Sequence, residues 1–268
     1  MLKAVHKIQQ EADMKICVCV KHVPDSAANI TIKEKNRFDE SIIFIMNPYD
    51  EHAVEAAVRV KKQVGDSEVI AVSVGKKDAI KTLRSALSMG ADRAILIKTN
   101  VRPDSVITSR ALKGAIEQDG KPDIIFTGKE SIDNEGFQTM YRLAAALHMS
   151  VASNVMAFSL EQERVLVECE MEAGARGVIE MPLPCVIGTS KGLNKPSYPT
   201  LPAIMKAKKK EVKIIDLESL AIEKPMSSIE ILELKPTVEE RSSKELKGQP
   251  EEVVMQLIQV LREEAKVL

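Results

Sequence analysis

Short apolar, β-branched runs alternate with longer helical patterns from about residue 14 to residue 150. The runs KICVCVKHV, SEVIAVSV, DRAILIK and PDIIF are separated by EHAVEAAVRVKKQV, KDAIKTLRSALSMG and DSVITSRALKGAIEQDG. Strands that are apolar on both faces and are separated by helices of ten or more residues are typical of a parallel sheet covered by helices. The sequence therefore predicts a doubly wound, mostly parallel α/β domain, with Gly90 and Gly120 ending two of its helices.

After Ser150 the pattern changes to short extended segments, VMAFSL, RVLVECEM, RGVIEM and PCVIGTS. These segments either add edge strands to the same sheet or form an antiparallel layer beside it. From Glu211 the chain is charged and weakly patterned until the final amphipathic run PEEVVMQLIQVLREEAKVL. We therefore divide the chain into an N-terminal extension (1–13), an α/β domain (14–210) and a C-terminal arm ending in a helix (211–268). The apolar stripe of that helix packs either on its own domain or on another chain, and we expect the arm to dock a partner subunit.

Composition excludes several classes of function. Lys and Arg number 38 against 39 Asp and Glu, and aromatic residues make up 3% of the chain, which disfavours a nucleic-acid-binding surface. No apolar run approaches a membrane span, and residues 1–13 lack the apolar core of a signal peptide, so we expect a cytoplasmic protein that is not embedded in a membrane. The four cysteines lack metal-ligand spacing, which predicts free thiols and no metal site.

The candidate binding site lies where parallel strands end, because ligands of open parallel sheets bind beyond the carboxyl ends of the strands. The loop TGKESIDNEGFQT follows one predicted strand and leads into a helix predicted from about Gly136 to Leu147. Free amides in the first turn of that helix, with Gln138 and Thr139 beside them, would bind an anion. Asp133 and Glu135 would bind ribose hydroxyls or cap the helix; alternatively, Asp133 is simply a cap in an ordinary loop.

Missing motifs restrict the chemistry. The chain contains neither GxGxxG after its first strand nor GxxxxGK[ST], so a glycine-fingerprint dinucleotide site and a P-loop nucleotidase are disfavoured. No pair of nucleophile and base is recognisable, and we assign no catalytic residue. These absences favour a binding protein over a hydrolase.

Residues 194–206, here called the recognition segment, read NKPSYPTLPAIMK, followed by more lysines. Three prolines within seven residues predict an exposed loop without a helix. Leu201 either folds back onto its own sheet or is presented to a partner, with Lys206, Lys208, Lys209 and Lys210 guiding the encounter.

Five motifs resemble the beta subunit of electron-transfer flavoproteins from about residue 14 to residue 210. They are VKHVPD, NPYDEHAVEAAVRVK, TLRSALSMGADRA, GKESIDNEGFQT and GLNKPSYPTLPAIMKAKKK. The resemblance implies a non-catalytic subunit that holds AMP, or a second FAD in electron-bifurcating members. It also implies pairing with an alpha subunit that carries the redox-active FAD, and electron transfer from acyl-CoA or related dehydrogenases toward a quinone oxidoreductase.

The resemblance also assigns residues to two sites. The implied cofactor-binding residues are Cys19, Asn47, Pro48, Tyr49, Asp50, Val74, Gly128, Lys129, Asp133, Gly136, Phe137, Gln138 and Thr139. The implied partner-binding residues are Tyr198, Leu201, Pro202, Ile204, Met205 and Lys206. The pair Gln138 and Thr139 favours AMP over a second FAD. Arg176 departs from the family pattern, because it stands at or near an acidic position.

Two other hypotheses remain open at this stage. A stand-alone adenine-nucleotide sensor would explain the α/β domain but neither the recognition segment nor the terminal arm. An adenylating enzyme of a related superfold would need an SGGxDS signature after its first strand, where this chain has KHVPDSAAN.

Overall fold

The fold is built around a nine-stranded sheet with helices on both faces. The computed structural model describes residues 14–220, 222, 229–235 and 243–268, so the predicted extension at residues 1–13 lies outside the described residues. The strands are β1 (Met14–Cys19), β2 (His22–Pro24), β3 (Ile32–Lys33), β4 (Arg37–Phe38), β5 (Phe44–Met46), β6 (Ser67–Gly75), β7 (Arg93–Lys98), β8 (Ile124–Gly128), β9 (Ser150–Glu161), β10 (Arg164–Glu170), β11 (Arg176–Pro182), β12 (Cys185–Thr189) and β13 (Val212–Asp216).

Six α-helices are described: α1 (Pro48–Val64), α2 (Ile80–Met89), α3 (Ser105–Asp119), α4 (Thr139–Leu147), α5 (Leu201–Ala207) and α6 (Pro250–Gln259). Helices α1 and α2 pack on one face of the sheet, and α3 and α4 pack on the other. Gly90 and Gly120 lie at the C-terminal caps of α2 and α3 with φ of 134° and 100°, as the sequence predicts. The doubly wound α/β prediction is therefore confirmed.

The order of the main sheet is β11-β10-β9-β12-β8-β1-β6-β7-β13. Six of its eight pairings are parallel, and the two antiparallel pairings join β9 to β10 and β10 to β11. The late segments therefore add strands to the same sheet, which was the first of the two alternatives. The chain runs from β1 outward to β6 and β7 and then returns to place β8 on the opposite side of β1. In open α/β sheets, ligands bind at such a reversal, which lies here at the carboxyl ends of β1 and β8.

Three predicted boundaries differ from the structure. The sheet extends past residue 210, because β13 pairs in parallel with β7. The helix expected from Gly136 begins at Thr139. The recognition segment is not entirely a loop, since α5 begins at Leu201 with Thr200 at the N-cap. Pro202 lies in the first turn of α5, where the missing N–H leaves no intrahelical hydrogen bond unmade, so proline is compatible with the helix.

Candidate functional site

The centre of the site is the carboxylate of Asp50, which is buried at the start of α1. It accepts hydrogen bonds from the backbone amide of Lys21 at 2.7 Å, the backbone amide of Gly128 at 3.0 Å and Asn47 Nδ2 at 2.9 Å. Lys21 follows β1, and Gly128 ends β8. One side chain therefore joins the carboxyl ends of β1 and β8.

Asn47 extends these contacts into the next loop, and we call Asp50 and Asn47 with their hydrogen-bond partners the brace. Its Nδ2 also donates to the carbonyl of Glu130 at 2.8 Å, and its Oδ1 accepts from the amide of Ile132 at 3.2 Å. The polar groups of Asn47 and Asp50 are thus engaged within the protein. The structure gives these two predicted site residues a positioning role, since their hydrogen-bonding groups already have protein partners.

Gly128 is required by the close approach of this brace. A β-carbon at position 128 would lie 2.7 Å from the β-carbon of Tyr49 and 3.1 Å from Asn47 Nδ2. The first distance is shorter than any ordinary carbon–carbon contact, so a side chain at this position would push the start of α1 away from β8.

Burial controls the acidity of Asp50. Removal of the carboxylate from water raises its pKa to about 7, although the hydrogen bonds from Asn47, Lys21 and Gly128 oppose the shift. The brace therefore contains an acid that titrates near neutral pH.

The loop from β8 to α4 is tied to β1 by Lys21. Lys21 Nζ lies 2.6 Å from Asp133 Oδ1 and 3.0 Å from Ser131 Oγ. Asp133 therefore forms an ion pair, and the alternative in which it caps α4 is wrong. Sequence reasoning missed Lys21, although its place directly after an apolar strand was a usable signal.

The start of α4 leaves its first-turn amides without a side-chain cap. Gln138 occupies the N-cap position but makes no capping hydrogen bond. Its Oε1 instead accepts from Arg142 Nη2 at 2.8 Å and from Ser105 Oγ at 3.3 Å. Glu135 and Phe137 have positive φ of 47° and 50°, so the backbone is not helical at these residues and α4 starts after them. Free amides at a helix start attract anions.

An apolar surface lies at the same edge of the sheet. Cys19, Val74 and Phe137 are half-buried and pack against the hydrophobic core between the sheet and helices α3 and α4. The hydrogen bond with Cys17, together with burial, raises the pKa of the Cys19 thiol well above its usual value, so Cys19 is a neutral apolar group. The edge thus combines an apolar floor with hydrogen-bond donors.

A cation and two aromatic rings form the rim. Lys129 Nζ lies 5.3 Å from the ring centre of Tyr49, 5.8 Å from that of Phe137 and 3.1 Å from Glu130 Oε1. Pro48 lies in the first turn of α1, beside Tyr49. The predicted cofactor-binding residues lie at the ends of β1, β6 and β8, at the start of α1, and between the end of β8 and the first residue of α4.

The predicted partner-binding residues form a second, separate surface. Tyr198 is 94% exposed, Leu201 72% and Met205 55%, and the alternative in which Leu201 folds back onto the sheet is wrong. Pro202, Ile204 and Lys206 are also exposed. Lys210 is not free for docking, because its ammonium donates to the carbonyls of Leu87 and Ala91 at the end of α2.

Arg176 lies on the exposed strand β11. Its Nη1 is 3.3 Å from Glu168 Oε2 on the neighbouring strand β10. The positive charge is therefore paired across the hairpin.

Within the described ranges, no group of His, Cys, Asp and Glu side chains could hold a metal ion. The described helices also include none with the length and hydropathy of a membrane span. All four cysteines are free.

Comparison with known proteins gives a consistent result. Residues 37–220 match the family described as "Electron transfer flavoprotein domain". "Electron transfer flavoprotein subunit beta, mitochondrial" of Arabidopsis thaliana is 36% identical over 258 residues, covering 95% of this chain and 100% of the relative. "Electron transfer flavoprotein subunit beta" of Bacillus subtilis (strain 168) is 32% identical over 260 residues with the same coverage, and that of Mus musculus is 35% identical over 218 residues, covering 79% and 85%.

The sheet order, with its reversal between β1 and β8 and helices on both faces, defines a Rossmann-like doubly wound α/β protein. Within that class, the chain belongs to the electron transfer flavoprotein family and is similar to its beta subunits over most of its length.

Proposed function

We propose that this chain is the nucleotide-holding subunit of a heterodimeric electron carrier and is not itself an enzyme. Its partner would be an alpha subunit that carries the redox-active FAD. The pair would accept electrons from acyl-CoA or related dehydrogenases and deliver them toward a quinone oxidoreductase.

The observation that carries the proposal is the uncapped start of α4 beside the apolar floor at the carboxyl edge. An adenine ring fits against Cys19, Val74 and Phe137, and a phosphate fits the first-turn amides near Thr139. A ribose hydroxyl would reach the Asp133 carboxylate, which keeps partial exposure beside Lys21. AMP is the nucleotide that we propose.

A second FAD at this edge is the alternative cofactor, and it would make the carrier a bifurcating one. The pair Gln138 and Thr139 supports AMP. Arg142 Nη2 donates to Gln138 Oε1 at 2.8 Å, which keeps this exposed cation near the site. Its charge would favour the additional phosphate of FAD. The two cofactors are distinguished by direct chemical analysis.

The test is to purify the full chain without added nucleotide, denature it and identify what is released by mass spectrometry. We expect stoichiometric AMP. Stoichiometric FAD from this chain alone would replace AMP with the bifurcating alternative, and absence of any nucleotide would overturn the binding site.

Two exposed features support a role in complexes. The recognition segment presents apolar side chains at its tip, and α6 has no buried residue among Val254, Met255, Leu257 and Ile258. We propose that the former docks dehydrogenases and that α6 packs on the alpha subunit. A stand-alone nucleotide sensor would require neither surface, so stable assembly with a co-expressed alpha subunit in size-exclusion chromatography separates the two functions.

We also propose a cytoplasmic location. The plant relative is named mitochondrial. Fractionation of the source cells would decide between these compartments.

A further inference from the structure

The recognition segment is attached to α1 through a buried carboxylate. Glu55 is 6% exposed, and one of its oxygens accepts from both the backbone amide of Ser197, at 3.1 Å, and the Ser197 hydroxyl. Its other oxygen accepts from Arg59 Nε at 2.7 Å. Hydrogen bonds to a charged acceptor are stronger than neutral ones, and this acceptor is shielded from water.

A second attachment precedes the first along the segment. His52 Nδ1 lies 3.0 Å from Asn194 Oδ1, and Asn194 Nδ2 donates to the carbonyl of His52 at 2.9 Å. Residues 194 and 197 are thus both fixed to α1.

The far end of the segment is held by α2. Arg84 donates to the carbonyls of Ala207 at 2.7 Å and Lys210 at 2.6 Å. These contacts close the last turn of α5 and fix where the chain enters β13.

Between Ser197 and Ala207, the most exposed side chains gain little from their own domain. Tyr198, Leu201 and Met205 are each more than half exposed. Apolar packing of these side chains therefore contributes little to the conformation of the segment. The polar contacts at its ends and the restricted prolines between them therefore contribute to its order.

We propose that Glu55 is a positioning residue that holds the recognition segment in its docking conformation before a partner arrives. The inference rests on the docking role proposed above and adds the residue that prepares the surface. A segment that is already ordered loses less conformational entropy on binding, so it binds more tightly to the same apolar pocket.

The charge of Glu55 suits this role. Burial disfavours the carboxylate, but the hydrogen bonds from Ser197 and Arg59 outweigh burial and lower its pKa. Glu55 is therefore ionised at neutral pH, the state in which both oxygens accept.

A simpler role for Glu55 is stabilisation of α1 through its pair with Arg59, four residues along the helix. Such helical pairs contribute little to stability. The two roles differ in what they change, because helix stabilisation affects the melting temperature and positioning affects the mobility and affinity of the recognition segment.

The first measurement is the mobility of a nitroxide attached at Tyr198→Cys in the full chain. In Glu55→Ala the nitroxide should tumble faster than in the parent. Glu55→Gln keeps an oxygen that accepts from the Ser197 amide, and it should restore much of the immobilisation.

Ser197→Ala, at an exposed position, repeats the test if Glu55→Ala does not fold. Glu117→Ala is the matched control, since Glu117 forms the same type of helical pair with Lys113 on α3.

The second measurement uses the heterodimer as electron acceptor for an acyl-CoA dehydrogenase, with heterodimer concentration varied. Loss of the two hydrogen bonds from Ser197 to the Glu55 carboxylate should raise the KM for the heterodimer about fivefold or more in Glu55→Ala, while kcat stays within about twofold. Glu117→Ala should change neither quantity.

Unchanged nitroxide mobility in Glu55→Ala and in Ser197→Ala would overturn the positioning role, whatever the kinetics show. A KM that rises in Leu201→Ala but not in Glu55→Ala would also overturn it, while leaving docking intact. A KM unaffected by Leu201→Ala would instead count against the docking function itself.

Discussion

The carboxylate of Asp50 accepts a hydrogen bond from the backbone amide of Gly128 at 3.0 Å, across 78 residues of sequence. This contact joins the first turn of α1 to the end of β8. Asn47 binds the next part of the same chain segment, the loop that leads to α4, through the carbonyl of Glu130. The brace and the candidate anion site are therefore parts of one structure.

Asp50→Asn should alter the pH dependence of stability. The pKa of Asp50 is raised from 3.8 to about 7 in the folded protein, so the folded state binds more protons than the unfolded state between these values. The free energy of unfolding contributed by Asp50 therefore decreases as pH rises through this window and is constant above it. The wild-type advantage over Asp50→Asn should shrink between about pH 4 and 7, by at most a few kcal/mol.

Urea unfolding of both proteins across this pH range measures the difference. Other titrating groups cancel in the comparison. A difference that does not vary with pH would show that Asp50 titrates normally when folded.

Thr139→Asp should separate the helix from its ligand. An acidic residue in the first turn stabilises a helix by about 0.3–1 kcal/mol, yet it repels a bound phosphate. We expect the melting temperature of the nucleotide-free protein to be unchanged or slightly raised, and nucleotide affinity to fall about tenfold or more. Isothermal titration with AMP gives the affinity.

Thr139→Asn is the matched control, since it has the same shape without the charge. Equal loss of affinity in both variants would mean that the hydroxyl matters and the phosphate lies elsewhere.

The sequence predicts the sheet well because its central strands are buried on both faces. Ile16 and Val18 face one core while Cys17 faces the other, so the strand reads as a continuous apolar run. The same pattern does not predict strand β13, because β13 is at the edge of the sheet. Ile215 is buried and Ile214 is 49% exposed, among charged neighbours that resemble a linker.

From the sequence, the candidate site is predicted only as a loop, and that site stays a prediction. Its internal contacts depend on residues far apart in sequence, such as Lys21 with Asp133, and no local pattern encodes them. The predicted helix start at Gly136 failed because the positive φ of Phe137 is set by the loop as a whole. The function of Lys210 was misjudged because its position in a lysine run does not reveal the α2 carbonyls that it binds.

The C-terminal helix should be required for assembly. Leu257 and Ile258 of α6 are 45% and 38% exposed, and α6 has no buried residue. Leu257→Ser with Ile258→Ser should abolish the heterodimer in size-exclusion chromatography while circular dichroism of the α/β domain is retained, because an interface loses affinity when its apolar centre becomes polar.

Gln256→Ser with Gln259→Ser changes the same helix without changing its apolar face and should assemble normally. A truncation after residue 242 gives a second test and leaves β13 in place. Full assembly of the truncated chain would exclude α6 from the interface.

Leu201→Ala should weaken dehydrogenase docking without weakening the fold. Leu201 is 72% exposed in the free chain, so its removal takes little apolar area from the folded state. In a complex it would be buried in an apolar pocket, which is worth roughly 1.5–3 kcal/mol and corresponds to about tenfold to a hundredfold in affinity. We expect the KM of the heterodimer for an acyl-CoA dehydrogenase to rise by about that factor, with melting temperature and nucleotide content unchanged.

Ile43→Ala, at a position 70% exposed outside the recognition segment, should leave the KM unchanged. A Leu201→Ala protein that melts several degrees lower and transfers electrons at the normal rate would show that this leucine supports the fold and does not dock.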